Sequence, residues 1–165
     1  MKNVLTGVAL PMLIILVMTS CTGTSRISGE RITDANQVQL ALEDKSFRFV
    51  AESVLPMRGT RRMLNERYDL QIKGDTLVSD LPYFGRARTA PMNSAEVGIH
   101  FTSINYNYDV SPNGKNWDIL IKPLDNNEVR QMNLLVFDNG KATLNVNQNS
   151  KDPISYSGYI MTIAR

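Results

Sequence analysis

Only one histidine, His100, and one cysteine, Cys21, are available for catalysis or metal binding. A triad hydrolase needs a base beside its serine or cysteine nucleophile, and His100 would have to be that base. It stands between Ile99 and Phe101 in a segment that alternates like a strand, where a lone histidine is ordinarily structural, and no Gly-x-Ser-x-Gly stretch accompanies it. One histidine and one cysteine cannot supply the usual zinc ligands. The carboxylates Asp69, Asp75, Asp80, Asp109, Asp118 and Asp138 are scattered over turns and polar strand faces. Two of them meeting in space could cleave a glycoside, whereas solvated turn aspartates are the simpler reading. Asp138-Asn139-Gly140 lacks the following ligands of a calcium loop and reads as a turn. The expectation is a protein that is not an enzyme and that holds neither cofactor nor metal.

The arginines are more suggestive. Arg58, Arg61 and Arg62 surround Gly59-Thr60, and Arg86 and Arg88 follow Pro82-Tyr83-Phe84-Gly85. Guanidinium groups hold carboxylates or phosphates through paired hydrogen bonds. In an up-and-down sheet the two loops emerge at the same end. Arg58, Arg61, Arg62, Tyr83, Phe84, Arg86 and Arg88 are therefore the candidate ligand-binding residues, with ordinary solvated loop charge as the alternative. Tyr106, Tyr108, Trp117, Tyr156 and Tyr159 could form an aromatic surface for sugar rings, but their strand spacing favours packing inside a sheet.

The N-terminus reads as an address. Lys2 precedes an uncharged run, Val8 to Met18, which is shorter than the roughly 20 residues a spanning helix needs. It ends in Met18-Thr19-Ser20-Cys21, which resembles the site where lipoprotein signal peptides are cut before a lipidated cysteine. Residues 1–20 are thus expected to be a signal peptide, and Cys21 the lipidated first residue of the mature chain. Lipidation also accounts for a lone cysteine in an exported protein. Residues 21–32, rich in Thr, Ser and Gly, are expected to form a flexible tether. Thr22, where an inner-membrane retention signal has aspartate, points to the outer membrane, and the lack of an acidic cluster points to a periplasmic orientation. Without residues 1–20 the chain carries 17 basic against 16 acidic side chains, a balance that argues against nucleic-acid binding.

Residues 33–165 form a single β-rich domain. Asp34 and Gln37 resemble a capping box, and Ala35, Val38, Ala41 and Leu42 share one face, so a helix is placed at about 35 to 45. Strand patterns follow from Phe47 onward. Tyr68, Leu70 and Ile72 alternate cleanly with polar residues, and Gly74-Asp75 and Asn139-Gly140 are hairpin turns. Ile99 to Val110 reads as one long strand whose apolar phase shifts between Phe101 and Ile104, as a bulge would cause. Ser111-Pro112-Asn113-Gly114 ends it in a turn. Short links force antiparallel neighbours, giving an N-terminal helix and an antiparallel meander of about eight strands. This mainly β (α+β) chain can curl into an open, lipocalin-like barrel; a flat sheet under one helix is the alternative.

The segment Tyr68 to Ala87, with its Gly74-Asp75 turn and Leu81-Pro82-Tyr83-Phe84-Gly85-Arg86-Ala87, resembles the DUF4251 family of exported proteins from Bacteroides-type bacteria, as does Ile154-Ser155-Tyr156-Ser157-Gly158. The resemblance implies a β-rich envelope domain of unknown function and supplies no catalytic residues. The expected role is a non-catalytic module binding an anionic glycan or lipid, in the sheet's concave face or at the arginine-bearing end. An interaction or inhibitor subunit docking an envelope protein is the alternative, and a carboxylate-based hydrolase the third.

Overall fold

The computed structural model describes residues 29–86 and 98–163. The expectations placed on residues 1–20, Cys21 and Arg88 lie outside the described residues.

The helix, α1 (Ala35–Glu43), begins at the expected cap. The Asp34 carboxylate accepts from the backbone N–H groups of Asn36 (3.0 Å) and Gln37 (3.2 Å), donors with no partner inside the helix. Val38 and Leu42 are its buried face. Lys45 then takes φ 48°, and its carbonyl accepts from Gly74 N–H, which docks the helix exit onto the first hairpin turn.

Nine strands follow. They are β1 (Ser46–Pro56), β2 (Arg62–Lys73), β3 (Thr76–Leu81), β4 (Ile99–Ser103), β5 (Tyr106–Asn113), β6 (Asn116–Pro123), β7 (Val129–Val136), β8 (Lys141–Gln148) and β9 (Ile154–Thr162). Every pair is antiparallel, in the order β4-β3-β2-β1-β9-β8-β7-β6-β5. The ninth strand arises because the long segment expected as one strand breaks at Ile104-Asn105, where its apolar phase shifts. Its first half pairs with β3 and its second with β6. β5 runs on through Ser111 and Pro112, expected as turn, to a turn at Gly114-Lys115; proline is tolerated because β5 is an edge strand.

That break decides the shape. Laid flat, the two edge strands would stand about 38 Å apart at roughly 4.8 Å per strand. Ser103 and Tyr106 are three residues apart and can be separated by at most about 11 Å. The sheet must therefore curl, and it forms a half-barrel rather than a flat sheet. Four hydrogen bonds fasten the seam and its corner. The Tyr106 hydroxyl donates to Gly74 O (2.6 Å) and the Tyr108 hydroxyl to Leu42 O (3.0 Å), which lays α1 along the β5 edge. Asp125 accepts from Ile104 N–H (3.0 Å) and from the Ser103 hydroxyl, fixing the corner. These bonds hold the Asp125 carboxyl below the usual carboxylate range, the Ser103 bond contributing most.

The concave face is filled. Phe47, Phe49, Leu70, Ile72, Leu77, Ile121, Leu144, Val146, Tyr156 and Ile160 are fully buried there together with the α1 face. Each large apolar side chain removed from water contributes about 1.5–3 kcal/mol. Gly158 faces Ala51 where β1 bulges, and a Cβ there would come within 1.9 Å of Val50 O.

β1 and β9 define two poles, with Phe47 opposite Thr162 at one and Pro56 opposite Ile154 at the other. The first carries α1 and the chain's N-terminal side. Here the expected tether boundary moves. Residues 30–32 pair with the end of β9, where Thr162 N–H donates to Glu30 O (2.9 Å) and Ile32 N–H to Ile160 O (3.1 Å). Ile32 is buried. Residues 30–32, expected as part of the tether, thus lie on the sheet. The other pole carries the loops β1–β2, β3–β4, β6–β7 and β8–β9, and is called here the loop pole.

Candidate functional site

Three connections meet at the loop pole. β1 bulges between Ala51 and Ser53, so Ser53 lies opposite Ser157 and its hydroxyl turns outward with that of Ser157. Arg61 closes over the pair, and its Nη1 donates to Ser53 Oγ (3.1 Å) and Ser157 Oγ (3.2 Å). This braces one edge of the guanidinium while the residue stays exposed. The Arg62 guanidinium stands 5.4 Å from the Phe84 ring centroid, so the β1–β2 and β3–β4 loops do converge. Arg58 is exposed beside Gly59, whose φ of 140° is a backbone state that side chains rarely adopt.

Tyr83, a candidate ligand-binding residue, turns its ring inward. It is only 7% exposed. Its hydroxyl lies 2.9 Å from Arg86 O and 3.0 Å from Asp152 O, one proton shared between two carbonyls. Asp152 N–H returns a bond to Arg86 O (3.1 Å), and Lys151 Nζ lies 5.4 Å from the Tyr83 ring. Tyr83 is therefore a pin that ties the stretch 82–86 to the β8–β9 loop. Beneath it the Tyr156 hydroxyl donates to Pro82 O (2.6 Å), and burial pushes its pKa far up, so it remains a donor. The pinning leaves Phe84 (41% exposed) and the Arg86 side chain facing solvent.

The same pole exposes apolar side chains that the sequence reading did not single out. Met57 is 63% exposed and Met63 70%, with Leu55 beside them. Leu55, Pro56, Met57, Gly59, Pro153 and Ser155 line an open groove of about 280 Å³. Pro153 follows Asp152, so this groove adjoins the loop that Tyr83 pins. The available signal was Met63, which the alternation of β2 turns to solvent; Leu55 is turned out by the bulge in β1. The loop pole is thus an apolar surface carrying Arg58, Arg61, Arg62 and Arg86. Residues 53–63 and 82–86 contain no carboxylate at all.

The remaining candidates separate. Asp80 and His100 are cross-strand partners, with Nδ1 of the histidine 2.7 Å from Asp80 Oδ1, both about half exposed. Asp69 sits opposite Asp80, and Arg48 Nη1 lies 3.8 Å from Asp69. These four form a charged row on the outer face of β1–β4. Burial raises the Asp69 carboxyl and Asp80 adds to this, while Arg48 opposes it. Asp109 and Asp118 line a trough of about 500 Å³ on the outer face of β5–β8, where Asn113 donates to Asp118 (2.9 Å). Among the described residues no three His, Cys, Asp or Glu side chains form a group that could hold a metal. The aromatics form no common surface: Tyr156 is core, Tyr106, Tyr108 and Trp117 pack on the core, and Tyr159 lies under Arg31 at 4.0 Å on the outside.

A crystal structure of a DUF4251 family protein from Bacteroides eggerthii is similar to this chain, with a TM-score of 0.56 at 13% identity, covering 78% of this chain and 87% of that one. At that identity the likeness concerns the fold. No curated protein matches. The family model described as a domain of unknown function, DUF4251, matches residues 30–160. By that match over most of its length, the chain belongs to the DUF4251 family.

Proposed function

We propose that this chain is a non-catalytic binding module of the bacterial envelope, exported by residues 1–20, lipidated on Cys21, held at the outer membrane facing the periplasm, and taking an anionic ligand at the loop pole. The observation that carries the reading is the convergence of Arg61, Arg62, Phe84 and the Leu55–Met57 groove on one surface, where residues 53–63 and 82–86 carry no carboxylate and Asp152 of the adjoining β8–β9 loop is the nearest in sequence to the groove. Packed side chains fill the concave face, which counts against a ligand held inside the sheet. Arg61 is held by two serines before any ligand arrives, so little conformational entropy is lost on binding. His100 is paired with Asp80 on the open outer face of the sheet.

Fluorescein-labelled polyglutamate titrated onto the full-length protein in detergent, followed by anisotropy, tests the reading. Binding should weaken as salt rises, because exposed charges are screened. It should fall several-fold in Arg61→Ala and in Arg62→Ala. Binding that ignores both substitutions would place the ligand elsewhere.

A further inference from the structure

Where the chain leaves the domain bears on what the loop pole can meet. Residues 30–32 pair with Thr162 and Ile160 at the pole opposite the arginines. Along β9 the path from Thr162 back to Ile154 covers about 26 Å at roughly 3.3 Å per residue. Between Cys21 and Gly29 the chain can span at most about 28 Å when fully drawn out. A lipid on Cys21 could therefore bring the loop pole to its own membrane only with the whole intervening segment taut along the flank of the domain.

The surface itself is the second consideration. The Leu55–Pro153 groove is shallow and open, below the roughly 300–1,000 Å³ of pockets that enclose small ligands. Met57 lines it, Met63 and Phe84 are exposed at the same pole, and methionine adapts to irregular partner surfaces. Arginine and aromatic residues around a flat apolar centre are the composition of a protein interface.

We infer that the loop pole is a docking surface for a protein partner presenting an acidic rim around apolar side chains, approached from the side facing away from the anchoring membrane. This deepens the reading above and rests on it. The four arginines supply the complementary charge, and the apolar area between them supplies the contact.

The test uses the full-length lipoprotein in the cells that make it, with photoreactive benzoylphenylalanine at position 57, and at position 40 on α1 for comparison. Position 57 should yield adducts whose partner peptide is rich in Asp and Glu. Their yield should fall several-fold in Arg58→Glu, an exposed position where substitution leaves the packing intact, and in Arg62→Ala. Position 40 should yield none of these adducts. Phospholipid or cell-wall glycan adducts at position 57, no adduct there, or protein adducts indifferent to both substitutions would overturn the inference. A phospholipid adduct with polyglutamate binding intact would remove the protein partner alone, whereas loss of polyglutamate binding would remove the anionic site itself.

Discussion

Tyr83 is the sharpest place to test the geometry of the loop pole. Tyr83→Phe removes one hydroxyl and leaves the ring. That hydroxyl serves Arg86 O and Asp152 O, and Arg86 O keeps its second donor, Asp152 N–H. The expected loss is about 1–2 kcal/mol, one hydrogen bond plus a partly orphaned carbonyl. Tyr83→Ala also removes a buried ring, and the loss should reach about 3–5 kcal/mol. Urea unfolding of both variants at constant slope reads these differences as midpoint shifts. At roughly 1–3 kcal/mol per molar urea, the phenylalanine variant should move by about half a molar or more. Polyglutamate binding should weaken in Tyr83→Phe as well, since Phe84 and Arg86 lose the anchor of their loop. A Tyr83→Ala variant as stable as the parent would refute the burial and the pinning together.

Three further outcomes are expected. Gly158→Ala should destabilise by several kcal/mol, measured by thermal melting, because its Cβ would lie 1.9 Å from Val50 O and force β1 and β9 apart. Asp69 has a raised carboxyl pKa, so the folded state holds that proton more tightly than the unfolded chain. Its contribution is present below the unfolded value and lost as pH rises through the folded one, so urea midpoints from about pH 4 to pH 7 should fall less in Asp69→Asn than in the parent. Cys21→Ser should release the protein from the membrane fraction and abolish palmitate labelling with no change in melting temperature, since Cys21 precedes the residues that pair with β9; a labelled serine variant would refute lipidation at that site.

What was legible in the sequence was local. Gly74 and Gly140 take φ of 57° and 73°, which glycine adopts without cost, so both hairpin turns could be read from short strings of residues. The Asp34 cap needs only its own carboxylate and the next two amides in reach. What stayed hidden depends on distant partners. Ile32 is one apolar residue between Arg31 and Thr33 and gives no period, yet β9 recruits it at a separation of more than a hundred residues. The stretch Pro82–Arg86 is poor strand sequence whichever way its rings point; Tyr83 turns inward because carbonyls of two loops wait there for its proton. The row Arg48, Asp69, Asp80 and His100 is assembled by antiparallel register alone.

The break at Ile104-Asn105 joins these observations to function. A phase shift in an alternating strand announces an irregularity but not its size, because a bulge and a change of partner leave the same mark in sequence. Here the segment changes partner, pairing with β3 before the break and β6 after it. One stretch of chain thereby supplies both edges of the sheet, and the sheet has to curl. Curling packs the concave face with the strands' own side chains and α1. It also separates the ends of the strands into two poles, one receiving residues 30–32 and the other gathering four loops. The arginines and exposed methionines fall at the second pole because β1–β2, β3–β4 and β8–β9 all turn there. The position of the candidate site relative to residues 30–32 is thus a consequence of where one strand bends.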